Sequence, residues 1–326
     1  MDTYLITGVA GFIGSSLARA ILSRGGRVRA VDNFSTGNRE NIADILKQID
    51  FIEGDIRDAR LMREACEGTD YVLHQAAIPS VPKSVKDPVT TNSANVDGTL
   101  QVLVAAKECK VKRVVYAASS SAYGDTPTLP KREDMTPNPI SPYAVSKLTG
   151  ELYMRSFYHV YGLETVSLRY FNVFGPRQDP NSPYSGVLAR FIHLLLREEQ
   201  PTIFGDGEQS RDFTYVDDVV EANLKACSAS AAQVAGGIFN VGTGERASLN
   251  EVFKVLKTIT NFSGAPIYGS ERAGDVKHSL ADISLAKKHL AYRPRVPLRE
   301  GLRLTVNWYK QQNRLVEMQE PPAFSS

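Results

Sequence analysis

A tyrosine and a lysine stand four residues apart in the stretch "SPYAVSK", where Tyr143 precedes Lys147. Residues at positions i and i+4 lie on one face of a helix, so the two side chains are expected one turn apart. A free tyrosine has a pKa of about 10. A phenol that acts as a base near neutral pH therefore needs a nearby cation and a site shielded from water. The spacing is common in surface helices, but in a cleft it predicts a tyrosine that takes a proton from a bound hydroxyl.

Hydroxyl groups are predicted to lie close to this tyrosine. The segment "RVVYAAS" has the composition of a buried strand, and its carboxyl end carries Ser119, Ser120 and Ser121. Ligands of open α/β sheets bind outside the carboxyl ends of the strands. A serine hydroxyl at this end is therefore expected to meet the oxygen that reacts with Tyr143.

A glycine trio near the amino terminus predicts a dinucleotide site. In "TGVAGFIG", Gly8, Gly11 and Gly14 follow a predicted strand and open a predicted helix. Glycine is needed where the backbone turns sharply and where a pyrophosphate approaches main-chain N–H groups at a helix amino terminus. The trio alone would also fit another nucleotide on a similar sheet.

The next two strands favour NAD. The segment "RVRAVD" ends at Asp32, which is placed to accept hydrogen bonds from a ribose 2′-hydroxyl and would repel a 2′-phosphate. Arg39 lies near in sequence and weakens the preference for NAD over NADP. The third strand ends in "GDIRD", where Asp55 and Ile56 are expected to border the adenine.

Elements that position these residues alternate along the first half of the chain. Short apolar strands such as "TYLIT", "YVLHQA" and "ETVSLRYF" alternate with stretches of helical period. This order predicts an α/β fold with a doubly wound, Rossmann-like parallel sheet. Prolines and glycines then break the alternation, so we predict an NAD-binding domain over 1–175 and a smaller mixed α/β substrate domain over 176–326, with some later segments returning to the sheet.

Composition limits the classes of partner. The 326 residues carry a formal net charge of +2, which gives no reason to expect nucleic acid or an anionic membrane. Three separated cysteines suggest neither a metal site nor a disulfide framework. The amino terminus lacks the features of a signal peptide and no apolar run is long enough to span a bilayer, so a cytoplasmic protein is expected.

The chain resembles the extended short-chain dehydrogenase/reductases that act on nucleotide sugars. The motifs that carry the resemblance stand in the family's order over almost the whole chain: "TGVAGFIG", "LHQAA", "SSSAYG", "SPYAVSK", "RYFNVFGP", "SRDFTYVDD" and "GDVKHSLADIS". In this family the tyrosine takes the proton of a sugar 4-hydroxyl while NAD⁺ takes the C4 hydride. The hydroxyl residue four positions before the tyrosine of the "YG" pair bonds the same oxygen, which implies Ser119 here.

Two neighbouring positions separate the family's reactions. Sugar dehydratases of this kind carry Asp-Glu after the hydroxyl residue, and related decarboxylases carry a glutamate at the second position. This chain has Ser120 and Ser121 there, so the acid and base of elimination chemistry are missing at the expected place. The resemblance therefore implies a 4-epimerase that oxidises C4, lets the ketone turn over and returns the hydride to its opposite face.

The resemblance also implies which residues contact cofactor and substrate. Catalytic roles are implied for Ser119, Tyr143 and Lys147. The expected cofactor contacts are Gly8, Gly11, Phe12, Ile13, Gly14, Asp32, Asn33, Asp55, Ile56, Gln75, Ala76, Ala77, Asn95, Tyr143, Lys147 and Tyr170. The expected contacts to the UDP-sugar are Ser80, Ser119, Ser121, Tyr143, Asn172, Val187, Phe204, Arg211, Arg272, Asp275 and Ser279, with both arginines as candidates to clamp the diphosphate.

One position bears on the sugar itself. In UDP-hexose 4-epimerases a residue in the stretch resembling "GDVKHSLAD" lines the C2 pocket, and a tyrosine there blocks an N-acetyl group. This chain has Ser279, which favours UDP-N-acetylglucosamine and UDP-N-acetylgalactosamine while still permitting UDP-glucose. UDP-glucuronate is the alternative, because epimerases of uronates share a serine-rich stretch of this kind. A decarboxylase or dehydratase and a non-catalytic NAD-binding protein are the remaining readings.

Assembly is implied by the same resemblance. The helix that begins near Pro142 and the helix before "ECKVKR" resemble those that form a four-helix bundle in the family's dimers. A homodimer is therefore expected.

Overall fold

The structure, a computed structural model, describes residues 1–179, 186–271 and 277–319. In these ranges the strands are β1 (Thr3–Thr7), β2 (Arg27–Asp32), β3 (Asp50–Glu53), β4 (Tyr71–His74), β5 (Arg113–Ser119), β6 (Glu164–Tyr170), β7 (Val173–Phe174), β8 (Thr202–Phe204), β9 (Ser210–Arg211), β10 (Thr214–Tyr215), β11 (Gly237–Val241), β12 (Ala247–Ser248) and β13 (Ile267–Gly269).

The α-helices of the same ranges follow the strands in the order that the sequence predicts for the first half. They are α1 (Phe12–Ser23), α2 (Ala59–Cys66), α3 (Val81–Lys86), α4 (Pro88–Asn92), α5 (Gly98–Glu108), α6 (Pro142–Tyr161), α7 (Val187–Leu196), α8 (Val216–Ser228), α9 (Ala231–Val234), α10 (Leu249–Thr260), α11 (Ser284–His289) and α12 (Leu298–Gln319). A 3₁₀ turn over Ser120–Tyr123 follows β5 directly.

A seven-stranded parallel sheet forms the centre of the described part of the chain. Its strand order is β11-β6-β5-β4-β1-β2-β3. The chain moves outward from β1 in one direction and then from β4 in the other, which leaves a crevice at the carboxyl ends of these two strands. The predicted doubly wound, Rossmann-like fold class is confirmed.

Both faces of the sheet are covered, which explains why its central strands are continuously apolar. Every residue of β4 is buried, and so is β5 up to Ser119. Helices α1 and α8 cover one face, with Leu17 and Val219 in its core. Helices α2, α5 and α6 cover the other, with Leu103 and Met154. Parallel strands buried on both faces need such apolar runs.

The later part of the chain contributes both to the sheet and to a separate core. Strand β11 pairs in parallel with β6 and so extends the central sheet. Helices α7, α10 and α12 instead enclose a third apolar cluster that contains Phe191, Val252 and Leu302. The division at residue 175 into two domains stays a prediction.

Neither a membrane-spanning helix nor a metal-binding cluster occurs among the described residues. None of the helices is both long and apolar enough to cross a membrane. Within the same ranges, no group of three or more histidine, cysteine, aspartate or glutamate side chains is arranged to hold a metal ion.

Candidate active site

The amino terminus of α6 places Tyr143 at the sheet edge. Ser141 caps the helix with its side chain, which accepts a hydrogen bond from the backbone N–H of Ala144 at 3.2 Å, and Pro142 begins it with a preset φ. The backbone N–H of Tyr143 donates to the hydroxyl of the buried Ser84 at 3.0 Å. The position of the tyrosine is therefore determined by a local cap and by one long-range contact.

Ser119 and Tyr143 meet in the cavity, as predicted. A side-chain hydrogen bond joins the two residues and lowers the pKa of Tyr143, but burial has the larger effect and raises that pKa overall. The Ser119 hydroxyl oxygen also accepts from the backbone N–H of Ser121 at 3.2 Å and from its hydroxyl at 2.9 Å. The serine is thus held by its own turn while it faces the phenol.

Lys147 lies one turn further along α6 and is almost fully buried. Its ammonium donates to the Ala117 carbonyl at 2.9 Å and lies 4.9 Å from the centre of the Tyr116 ring. Burial lowers the pKa of Lys147 to about 8, and the charge of Glu151 counteracts that fall. The lysine is therefore a buried group with a lowered pKa, on the wall of the same cavity as the phenol.

The glycine turn between β1 and α1 leaves no room for side chains. A Cβ on Gly14 would lie 2.1 Å from the Gly8 carbonyl oxygen, and a Cβ on Gly8 would lie 2.7 Å from the Ala76 nitrogen. Gly8 also has a φ of +74°, which disfavours other residues. Helix α1 follows with Gly11 as its cap, and no side chain makes a capping hydrogen bond at its amino terminus. This backbone cradle fits a pyrophosphate.

Asp32 is oriented at the end of β2. One carboxylate oxygen accepts from the Ala10 N–H and the other from the Phe34 N–H, both at 2.8 Å. Arg39, which weakened the sequence case for NAD, binds Glu53 at 2.6 Å and stacks 3.8 Å from the centre of the Phe34 ring. Its guanidinium already has a carboxylate partner, so Asp32 and the glycine cradle together fit NAD.

A cavity of about 1590 Å³ joins the cradle to Ser119, Tyr143 and Lys147. The predicted site residues that line it are Gly8, Gly11, Phe12, Ile13, Gly14, Asp32, Asn33, Asp55, Ile56, Gln75, Ala76, Ala77, Ser80, Ser119, Ser121, Tyr143, Lys147, Tyr170, Asn172, Arg211 and Ser279.

Three predicted contacts lie elsewhere in the structure. Asn95 is buried behind the wall, where its amide bonds both backbone groups of Ile78 and the hydroxyl of Ser146. Val187 begins α7 and Phe204 ends β8, and neither lines the cavity. Their roles as ligand contacts stay predictions. Arg272 and Asp275 lie outside the described residues.

The far end of the cavity holds the residues expected near the sugar. The Asn172 amide donates to the Ser279 hydroxyl at 3.2 Å. The Ser279 backbone N–H donates to the Ser210 carbonyl at 3.0 Å. Arg211 lies on the same wall and donates to the Ser210 and Lys277 carbonyls. A small hydroxyl side chain therefore occupies the predicted C2 pocket.

Sequence reasoning missed two groups that the structure brings to the site. Ser84, which holds the backbone of Tyr143, lies 59 residues before it. Lys131 is buried on the cavity wall and donates to the carbonyl and hydroxyl of Thr126. Its backbone N–H bonds the Leu280 carbonyl at 2.7 Å, next to Ser279. No motif spacing indicates either contact.

Known proteins share this architecture. Residues 4–242 match the model of the NAD dependent epimerase/dehydratase family. The UDP-glucose 4-epimerase of Thermotoga maritima, solved with UDP-glucose, is 40% identical, with a TM-score of 0.90 and coverage of 95% of this chain and 99% of that one.

Two further structures carry other sugars. The UDP-N-acetylglucosamine 4-epimerase of Methanobrevibacter ruminantium, in complex with UDP-N-acetylmuramic acid, is 40% identical with a TM-score of 0.91, over 95% of this chain and 99% of that one. The UDP-glucuronic acid 4-epimerase of Bacillus cereus, in complex with UDP-glucuronic acid and NAD, is 34% identical with a TM-score of 0.86, again over 95% and 99%.

Proposed function

Because the chain belongs to the NAD dependent epimerase/dehydratase family and is a UDP-sugar 4-epimerase that uses NAD, we propose that it interconverts UDP-N-acetylglucosamine and UDP-N-acetylgalactosamine. The observation that carries the proposal is Ser279, a small residue bonded to Asn172 at the sugar end of the cavity. A pocket bordered by serine leaves space for a C2 acetamido group that a bulky side chain would exclude.

The catalytic residues divide the chemistry among them. NAD, held by the glycine cradle and Asp32, would supply the hydride acceptor and donor for C4. Tyr143 takes the proton of the sugar 4-hydroxyl as C4 is oxidised to the ketone and returns it when C4 is reduced from the opposite face. Ser119, which already bonds Tyr143, holds the same oxygen. Lys147 supplies positive charge that stabilises the ionised phenol.

Ser120 and Ser121 explain why the reaction stops at epimerisation. Both residues line the cavity directly after Ser119, where a dehydratase or decarboxylase of the family would carry a carboxylate. Hydroxyl groups with ordinary proton affinity neither protonate nor deprotonate the sugar carbons. Reduction at C4 is therefore the reaction that remains for the 4-keto sugar.

UDP-glucuronate is a second candidate substrate, and a specific observation favours it. Lys131 is a buried cation on the cavity wall, where burial lowers its pKa and the negative charge of Asp125 counteracts part of that fall. Burial of an ammonium is costly, so a substrate carboxylate would be favourable there. Hydrogen bonds to Thr126 offset part of this cost.

Incubation of the purified protein with each sugar tests the proposal. We expect proton NMR to show conversion of UDP-N-acetylglucosamine to its 4-epimer faster than that of UDP-glucose. Conversion of UDP-glucose alone would contradict the open pocket at Ser279. Conversion of UDP-glucuronate alone would establish the second candidate. Release of water or carbon dioxide would overturn the epimerase assignment in favour of a lyase.

We also propose that two copies pair through α5 and α6, as the resemblance implies. Apolar side chains stand exposed along this side: Leu152 on α6 is 60% exposed, and Val145 on α6 and Val89 on α4 are also exposed. Exposed apolar residues that line one surface mark an interaction site. Pairing of identical faces in a twofold dimer would bury them.

Sedimentation velocity tests this assembly. We expect the native chain to sediment as a dimer and Leu152→Glu to sediment as a monomer, because the new charge would be buried against its copy. Leu285→Glu is the control, since Leu285 is an exposed leucine on α11 and away from this face. A dimer that survives Leu152→Glu would place the interface elsewhere.

A further inference from the structure

A buried ion pair lies behind Lys147. Glu151 follows it by one turn of α6, and Arg169 projects from β6. The Arg169 Nε donates to one Glu151 oxygen at 2.9 Å and its Nη2 to the other at 2.7 Å. Neither side chain is more than 2% exposed. This two-pronged geometry fixes the carboxylate, and with it the negative charge next to the lysine.

Burying this ion pair costs more free energy than an apolar contact between α6 and β6 would. Two charges are removed from water, and the Arg169 Nη1 has no hydrogen-bond partner among the described residues. The guanidinium instead lies 4.6 Å from the centre of the Tyr123 ring. Apolar residues of similar volume would connect the two elements at least as well. A role for the charges themselves is therefore the better explanation.

The surroundings of Lys147 leave Glu151 as its negative neighbour. His74 on β4 is buried between the hydroxyls of Thr7 and Thr99, and burial lowers its pKa to about 3, so it is neutral at working pH. Burial likewise raises the pKa of Tyr116 and keeps it neutral. The groups that face Lys147 from the packed elements are Tyr143 and Glu151 on α6, Tyr116 and Ser119 on β5, His74 on β4 and Arg169 on β6.

We propose that Glu151, oriented by Arg169, is a positioning residue whose negative charge increases the fraction of the catalytic pair in which Lys147 carries the single proton and Tyr143 is ionised. This inference rests on the proposed 4-epimerase function and on the role of Tyr143 as its base. When the pair holds one proton, the form with a phenolate and an ammonium can take a proton from the sugar, and the form with a phenol and a neutral amine cannot. The negative charge of Glu151 favours the first form.

The two forms predict a distinctive pH dependence. At low pH the pair is fully protonated, and the active fraction depends on the acidity of Tyr143 beside a charged lysine. At high pH the active fraction depends on how the single proton divides between the two residues. Loss of Glu151 lowers the pKa of Lys147 and so lowers the plateau of kcat/KM while leaving the acid limb nearly unchanged.

Glu151→Gln tests this dependence in the full-length enzyme with its bound cofactor. We expect the high-pH plateau of kcat/KM to fall about tenfold for each unit by which the Lys147 pKa falls. The pH profiles of the variant and of the native enzyme should converge at low pH. Glu151→Gln/Arg169→Met, which leaves no unpaired charge, should lie between the single variant and the native enzyme. A uniform fall of the whole curve would mean that the pair is only structural and would overturn the proposal.

Glu164→Gln is the matched control. Glu164 at the amino end of β6 pairs with the buried Arg113 at the amino end of β5 at 2.6 Å, away from the catalytic serine. Its loss removes an ion pair of the same type, and we expect the pH dependence to remain native. If Glu164→Gln lowers the high-pH plateau of kcat/KM as much as Glu151→Gln does, the effect is not specific to Glu151.

A titration without substrate separates this proposal from the proposed function. In protein labelled with ¹³C-lysine, the signal lost in Lys147→Ala identifies Lys147. Its titration midpoint should be lower in Glu151→Gln than in the native chain, with the double variant between them, whichever sugar is the substrate. Equal midpoints would overturn the inference even if the epimerase activity is confirmed. If the single variant fails to fold, the double variant carries the same comparison.

Discussion

Replacement of Tyr143 by phenylalanine is expected to lower kcat about a thousandfold, within the range that a lost general base accounts for. The variant keeps the ring and loses the phenol hydroxyl, which bonds Ser119 and which we propose removes the proton of the sugar 4-hydroxyl. The fold should survive, because the backbone N–H that bonds Ser84 remains in place. Steady-state conversion followed by NMR measures the effect.

The pH dependence of the native enzyme provides the second part of this test. Burial raises the pKa of Tyr143, so the phenol is mostly protonated at neutral pH and the native rate should rise as pH increases. The residual rate of Tyr143→Phe should lack this rise. Tyr161→Phe makes the same change at an exposed position of α6 and should behave as the native enzyme. Native kcat in Tyr143→Phe would exclude the tyrosine as base.

Ser279→Tyr is expected to lower kcat/KM for UDP-N-acetylglucosamine about a hundredfold, which is the scale on which a pocket discriminates by size. The new ring would occupy the space beside Asn172 where we place the acetamido group. UDP-glucose carries only a hydroxyl at C2, so its kcat/KM should change by less than about threefold on the same argument. Comparing the two sugars with one enzyme preparation measures the change in preference.

A smaller substitution controls for the hydrogen bond. Ser279→Ala removes the hydroxyl that accepts from Asn172 and leaves the volume nearly unchanged. We expect it to retain the preference for the acetylated sugar, because steric space and not this bond determines acceptance. Equal losses for both sugars in Ser279→Tyr would show that the residue supports the site as a whole and does not select the C2 substituent.

Short-range patterns explain how much of the fold could be predicted. The strands from β1 to β6 coincide with apolar runs read from the sequence, and Gly8, Gly11 and Gly14 lie at the predicted turn into α1. A strand-turn-helix signal involves residues close in the chain, so local backbone geometry determines it. Strand β11 was not identified, because "GIFNV" is short and follows a region of broken alternation.

By itself, the sequence predicted the proposed catalytic trio, the glycine cradle, Asp32 and the serines that stand where related enzymes carry carboxylates. Each of these depends on residue type and spacing within one or two adjacent elements. Only the tertiary structure decided that Arg39 pairs with Glu53, that Ser84 holds the backbone of Tyr143, and that Arg169 orients Glu151 behind Lys147. These contacts join elements that are distant in the chain, and they form only when the parallel sheet and its covering helices pack together.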